Sequence, residues 1–171
     1  MFAAFREIAP NRLREQVGLA LEDFAPGQLF HHRPGIAITQ QDNISESLAT
    51  LNQAMIHYDE HYAAQTEWKH PLVVSSLTLQ RAVGMAWKTF GRRKRIVRFH
   101  AIRMTAPVFG GDTLYARSRI VTIAAAPDDP DCGQLSVETT LSNAEGVDVA
   151  VVSYDQLIYR RDRGPFAAHG Y

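Results

Sequence analysis

The chain has 171 residues, a length suited to one domain, and its 18 Lys+Arg balance 18 Asp+Glu, which argues against a general nucleic-acid binder. With 46% hydrophobic and 21% charged residues, disorder and collagen-like repeats are excluded. The single Cys132 cannot form an intrachain disulfide, and no stretch approaches the ~18 apolar residues of a membrane span.

The N-terminus places Phe2 and Phe5 before its first charge, Arg6, the reverse of a secretory signal, so the expected location is the cytoplasm. Residues 1–20 read as an accessory helical extension, with Phe5, Ile8, Leu13, Val17 and Leu21 roughly on helical spacing and Pro10 interrupting. Asp23 to Gly27 reads as a turn and Ile36–Thr39 as a short strand. Asp42 is placed to cap a helix over 43–51, with Ile44, Leu48 and Leu51 on its apolar face. Asn52 to His57 follows as a loop, and Asp59 is placed to cap a second short helix running to Thr66.

From Ser75 or Ser76 to Phe90 the pattern predicts one long, nearly uncharged helix, apolar on most sides and therefore buried, with Gly91 as its stop. Residues 96–104, 113–123, 134–142 and 147–159 are rich in Val, Ile, Thr, Tyr and Leu, with Gly, Pro, Asn and Asp between them. They read as four antiparallel strands. A sheet curled around one central helix, α+β in class, satisfies this order.

Polar residues near that helix concentrate in Asn52 to Ala64. The run from Asp42 to Ala64, followed by Pro71–Ser76 and then by Ala106-Pro107-Val108-Phe109-Gly110-Gly111-Asp112-Thr113-Leu114, resembles the MaoC-like, R-specific enoyl-CoA hydratases. It looks most similar to the branch of mesaconyl- and itaconyl-CoA hydratases. The resemblance covers about residues 20–160 in collinear order. It implies a single hotdog fold over residues 21–163, flanked by the 1–20 extension and a 164–171 tail.

The resemblance also implies a site. In the family a loop histidine and an acid five residues earlier hold the water that adds across the double bond of an enoyl thioester. Here the histidine is His57 and the acid position carries Asn52. An amide cannot take up a proton as a carboxylate does, so His57 must serve alone as base and acid, with Asn52 orienting the water through its carbonyl. The oxyanion position falls at the backbone N–H groups of Ser75 and Ser76, where the N-terminus of the central helix favours a developing anion. A homodimer or higher homo-oligomer is implied, and an exposed sheet edge gives a physical reason for it.

Other residues carry weaker signals. His57-Tyr58-Asp59-Glu60-His61 matches the H-x-x-E-H metal pattern, but a helix start at Asp59 would separate the two histidines. Asp112 reads as a turn residue. Arg92, Arg93 and Lys94 either form a solvated loop or bind the phosphates of coenzyme A. Arg98 and Arg103 are candidates to pair with a carboxylate on the acyl group. Between residues 81 and 119 stand ten basic residues and one acid, a net +9 that the rest of the chain offsets with −9. No metal or redox cofactor is expected, with coenzyme A entering as part of the substrate. A hotdog thioesterase and a non-catalytic acyl-CoA-binding subunit are the alternatives.

Overall fold

The computed structural model describes residues 4–169. Its first element is a hairpin, not the expected helix: β1 (Phe5–Ala9) pairs antiparallel with β2 (Arg12–Glu15). Pro10 and Asn11 form the turn, with Asn11 at φ 59°, a conformation Asn tolerates well. Phe5 and Leu13 stay 54% and 66% exposed, so their helix-like spacing reflects no buried face. Past the hairpin, Gly18 (φ +65°) approaches the backbone of Gly91 so closely that a Cβ there would lie 2.5 Å from the Gly91 nitrogen. Leu19 N–H then bonds Thr89 C=O. These contacts tie the extension to the far end of the central helical segment.

The main sheet has five strands in the order β3-β5-β6-β7-β4, all antiparallel. They are β3 (Leu29–Ala37), β4 (Arg93–Met104), β5 (Thr113–Ala125), β6 (Cys132–Ser142) and β7 (Asp148–Tyr159). β3 starts seven residues before the expected strand. Pro34 has no N–H to give, and the β3–β5 register skips from His32↔Ala116 to Ile36↔Leu114 around it. Alternating residues of the inner face, among them Leu114, Ile120, Leu135, Val152, Tyr154 and Ile158, are fully buried against the helical layer.

That layer is α1 (Gln40–Ala49), α2 (Glu60–Ala63), α3 (Ser75–Gly84) and α4 (Trp87–Phe90). The predicted single helix to Phe90 is interrupted at Met85–Ala86, directly after Gly84, the weakest helix former in the run. It is also less enclosed than its composition suggests. Leu77, Thr78, Ala82, Ala86 and Phe90 face the sheet, while Trp87 is 53% exposed, because one sheet layer can cover only one side. Gly91 ends α4 with an ordinary helical φ of −62°.

The cap of α1 is Thr39, not Asp42. Asp42 occupies the third helical position, where its carboxylate accepts from Thr39 N–H (2.9 Å) while Thr39 Oγ1 accepts from Asp42 N–H (3.0 Å). These bonds hold the Asp42 carboxyl below the usual carboxylate range. The buried face of α1 is Asn43 and Ser47, whereas Leu48 and Leu51 are 63% and 83% exposed. A short helix, α5 (Gly164–Ala168), closes the described chain, with Phe166 edge-on to Tyr159. None of the described helices is long and apolar enough to cross a membrane.

Beneath α4 lies a buried polar chain. His32 meets Ser118 Oγ through Nε2 (2.8 Å) and Thr89 Oγ1 through Nδ1 (3.2 Å), and Ser118 continues to Thr139 and Tyr154. Burial, with the charges of His31 and Arg33 adding to it, brings the His32 pKa from 6.5 down to about 4. The unfolded chain therefore takes up this proton first as pH falls. The stabilisation is fully present above pH 6.5 and is lost as pH falls from there through about 4. At about 1.4 kcal/mol per unit the whole shift amounts to something on the order of 3 kcal/mol. Urea midpoints measured from pH 7 down to pH 4 are expected to decline, and His32→Gln should flatten that part of the decline. An unchanged slope would contradict this role for His32.

Candidate active site around His57

The site is built where the loop after α1 meets the start of α3. Asn52 Oδ1 accepts from Ala54 N–H (3.0 Å), a local turn that swings the chain into the 3₁₀ turn Met55–His57. Ile56 C=O accepts from Leu72 N–H (3.0 Å), which fastens this turn to the strand-like stretch before α3. His57 Nδ1 lies 2.9 Å from Leu72 C=O. A carbonyl can only accept, so Nδ1 carries the proton and Nε2 holds the lone pair in the neutral ring.

His57 and Ser75 line one open cavity of about 340 Å³. Thr78 and Trp68 line it too, and its opposite wall is Met104 to Val108 at the end of β4 and the loop beyond. Val73 N–H bonds Val108 C=O (2.8 Å), so that wall is pinned to the base of α3. The N-cap of α3 is Val74, whose side chain offers no cap. Among the described residues, the N–H groups of Leu77 and Thr78 turn back to Val74 C=O. Those of Ser75 and Ser76 open the first turn, where a helix concentrates unsatisfied donors and positive potential. The Ser76 hydroxyl is buried without a hydrogen-bond partner.

The expected site residues divide sharply. His57 and Ser75 share the cavity, while Asn52 does not line it and its Oδ1 accepts from Ala54 N–H. Arg98 and Arg103 pair across the sheet with Asp155 and Val151. Tyr154 and Val152, which alternate with those two, face the core, so both arginines stand on the other face of the sheet and do not line the cavity. Arg92, Arg93 and Lys94 lie around the opposite end of the 12-residue β4, about 35 Å from Met104. Arg92 donates to Val17 C=O, and burial is the main cause of its lowered pKa. Lys94 forms a 2.6 Å ion pair with Asp129.

The remaining motifs prove structural. Asp59 caps α2 by accepting from Tyr62 N–H (2.9 Å), so His57 precedes that helix while His61 is inside it. Asp112 accepts from Phe109 N–H (2.9 Å) and makes a turn, as expected. Its neighbour Gly110 lets this turn lie against α1, where a Cβ would come within 2.9 Å of the Gln40 nitrogen. Thr78, Trp68 and Asn43 were not anticipated. No signal for Asn43 stood in the sequence, because Leu48 and Leu51 read as the apolar face until the fold leaves them exposed.

The sequence profile of mesaconyl-CoA hydratase matches residues 3–170. A β-methylmalyl-CoA dehydratase of Chloroflexus aurantiacus is 25% identical over 118 residues, which is 69% of this chain and 34% of that protein. The chain thus spans about a third of that curated relative. A MaoC-domain dehydratase structure from the same organism superimposes with a TM-score of 0.79 at 24% identity, over 84% of this chain and 45% of the other. A Mycobacterium tuberculosis protein described as having a double hotdog fold gives 0.77 at 22% identity, over 86% and 46%. A central helical segment wrapped by a five-stranded antiparallel sheet is that hotdog architecture, and with the profile spanning almost its entire length the chain belongs to the mesaconyl-CoA hydratase family of MaoC-like hotdog proteins.

Proposed function

We propose that the chain is a hydro-lyase that adds water reversibly across the α,β double bond of an enoyl-CoA. The acyl group is short and branched or dicarboxylic, of the mesaconyl- or itaconyl-CoA type. The observation that carries this reading is the His57 ring, held by Leu72 C=O in the tautomer that leaves Nε2 basic, in one cavity with the N-terminus of α3.

In this reading the thioester carbonyl points at the Ser75 and Ser76 N–H groups. A water gives its proton to His57 Nε2 as its oxygen bonds to the β-carbon. The π-electrons move onto the thioester oxygen as an enolate, which the helix N-terminus stabilises. The protonated His57 then returns the proton to the α-carbon, so one imidazole acts as base and acid in one turnover. Asn52 Nδ2 would hold the water oxygen, a role for a donor where the family usually has an acid. Coenzyme A enters as part of the substrate, and no metal or redox group is needed for these steps. A panel of enoyl-CoAs followed by loss of the conjugated thioester absorbance tests the reading. Release of free thiol instead would reassign the chain as a thioesterase, and binding without turnover as an acyl-CoA carrier subunit.

The proposed partner is a second copy joined through β4. That strand is a sheet edge, and its inner face leaves Phe99, Ile102 and Met104 39%, 44% and 39% exposed, with Met104 lining the cavity. In a two-fold pair with β4 antiparallel to itself, the start of one strand comes alongside the end of the other. The basic run Arg92–Lys94 of one copy would then serve coenzyme A phosphates at the His57 cavity of its partner. Co-expressing His57→Ala with a variant carrying Arg93→Glu and Lys94→Glu should restore about a quarter of wild-type activity, the statistical share of sites with both parts intact. No restoration from two soluble, folded variants would count against this arrangement.

A further inference from the structure

We infer that Asn43 is a positioning residue for the His57 site, an inference that rests on His57 being the base. Asn43 is fully buried on the inner face of α1. Its Nδ2 donates to His57 C=O (2.7 Å) and to Leu72 C=O (2.9 Å), and its Oδ1 accepts from Val74 N–H (2.8 Å). Gln40 Oε1 lies farther off at 3.3 Å, and Gln40 Nε2 adds a second bond to His57 C=O (3.0 Å).

One carboxamide thus joins three pieces of the site. The first is the main chain of the base itself. The second is Leu72 C=O, the same oxygen that takes the His57 Nδ1 proton. With both Asn43 Nδ2 and the imidazole bonded to that oxygen, the direction of the carbonyl, and with it the plane of the ring, has little freedom. The third is Val74 N–H, immediately before Ser75, so the phase of the first turn of α3 is set from the same atom group. Distance between the proton carrier and the oxyanion donors is what an addition across a double bond depends on, and a displacement of about 1 Å can cost a hundredfold in rate. Asn43 does not line the cavity. It acts on where His57 Nε2 and the Ser75 N–H stand relative to each other.

The test is the isosteric Asn43→Asp, which keeps the acceptor for Val74 but removes both donors. The expected result is kcat lowered about a hundredfold with KM within about threefold. In 15N-histidine spectra the His57 signals, assigned by their loss in His57→Ala, should change from one tautomer to a mixture. A folded Asn43→Asp with wild-type kcat and wild-type His57 signals overturns the inference. Should that variant not fold, Asn43→Ser carries the same test, because one hydroxyl cannot replace all three bonds. The two ideas fail separately. Full turnover in His57→Ala removes the base assignment itself, whereas loss in His57→Ala with no loss in a folded Asn43 variant removes only the positioning role.

Discussion

Replacing His57 with alanine is expected to lower kcat for enoyl-thioester hydration about a thousandfold, within the range typical of a lost general acid–base group. KM should change little, because the role proposed for the ring is proton transfer and not holding the thioester. The expectation is strong for a physical reason. Asn52 cannot take up a proton, Asp59 is committed to its helix cap, and neither lines the cavity. Among the described residues that line the cavity there is no carboxylate to replace the imidazole. Stability should be nearly unchanged, since the ring is only partly buried and its one protein bond is to a carbonyl that Asn43 also satisfies. The check is single-turnover absorbance decay with purified wild type and variant, alongside their thermal melts. Activity within a few-fold of wild type would remove His57 from the chemistry.

Phe90→Ala is expected to cost about 3–5 kcal/mol of stability, the range for truncating a fully buried phenylalanine. Phe90 has 0% exposure. Its ring stacks on Phe24 at 5.6 Å between centroids and meets Phe30 and His32 edge-on at 6.5 and 6.1 Å. Those contacts come from the turn before β3 and from β3 itself, both distant in sequence from α4, so the cavity left behind has no single neighbour able to collapse into it. Against a typical total of about 5–15 kcal/mol the loss is severe, and the melting temperature should fall by roughly 10 °C or more. The kcat of the folded fraction should persist, since Phe90 lies at the opposite end of the central helical segment from Ser75, about 22 Å away along the axis. Calorimetry together with turnover measured well below the transition separates the two. A melting temperature within a degree or two of wild type would contradict the central packing role assigned to this ring.

These two residues also show what was legible in the chain before its fold was known. His57 was legible because the polar residues from Asn52 to Ala64 stand together in one stretch of chain, and that stretch carries the family resemblance. The four strands β4 to β7 were legible because their alternation is long and their punctuation dense. The hairpin of β1 and β2 was not, because a short exposed pair carries no buried face and its apolar spacing mimics a helix by chance. The inner face of α1 was misread for a related reason. Leu48 and Leu51 look like core residues until the fold puts Asn43 and Ser47 inward, where a polar side chain is tolerated only because three backbone groups from elsewhere meet it.

By itself the sequence determined an α+β chain with one helical segment against an antiparallel sheet, a histidine-bearing loop just before that helix, and a strong basic bias between residues 81 and 119. Local propensity, hydrophobic period and turn residues act over a few neighbours, so they survive the absence of coordinates. The tertiary structure alone decided which groups meet. It brought Leu72 C=O to the His57 ring and Asn43 to both, it turned Arg98 and Arg103 away from the cavity, and it set Arg92 to Lys94 at the far end of β4. Register and strand order fix those meetings, and a one-residue shift in register sends every side chain of a strand to the other face. Such pairings between distant parts of the chain leave no periodic trace in a single sequence.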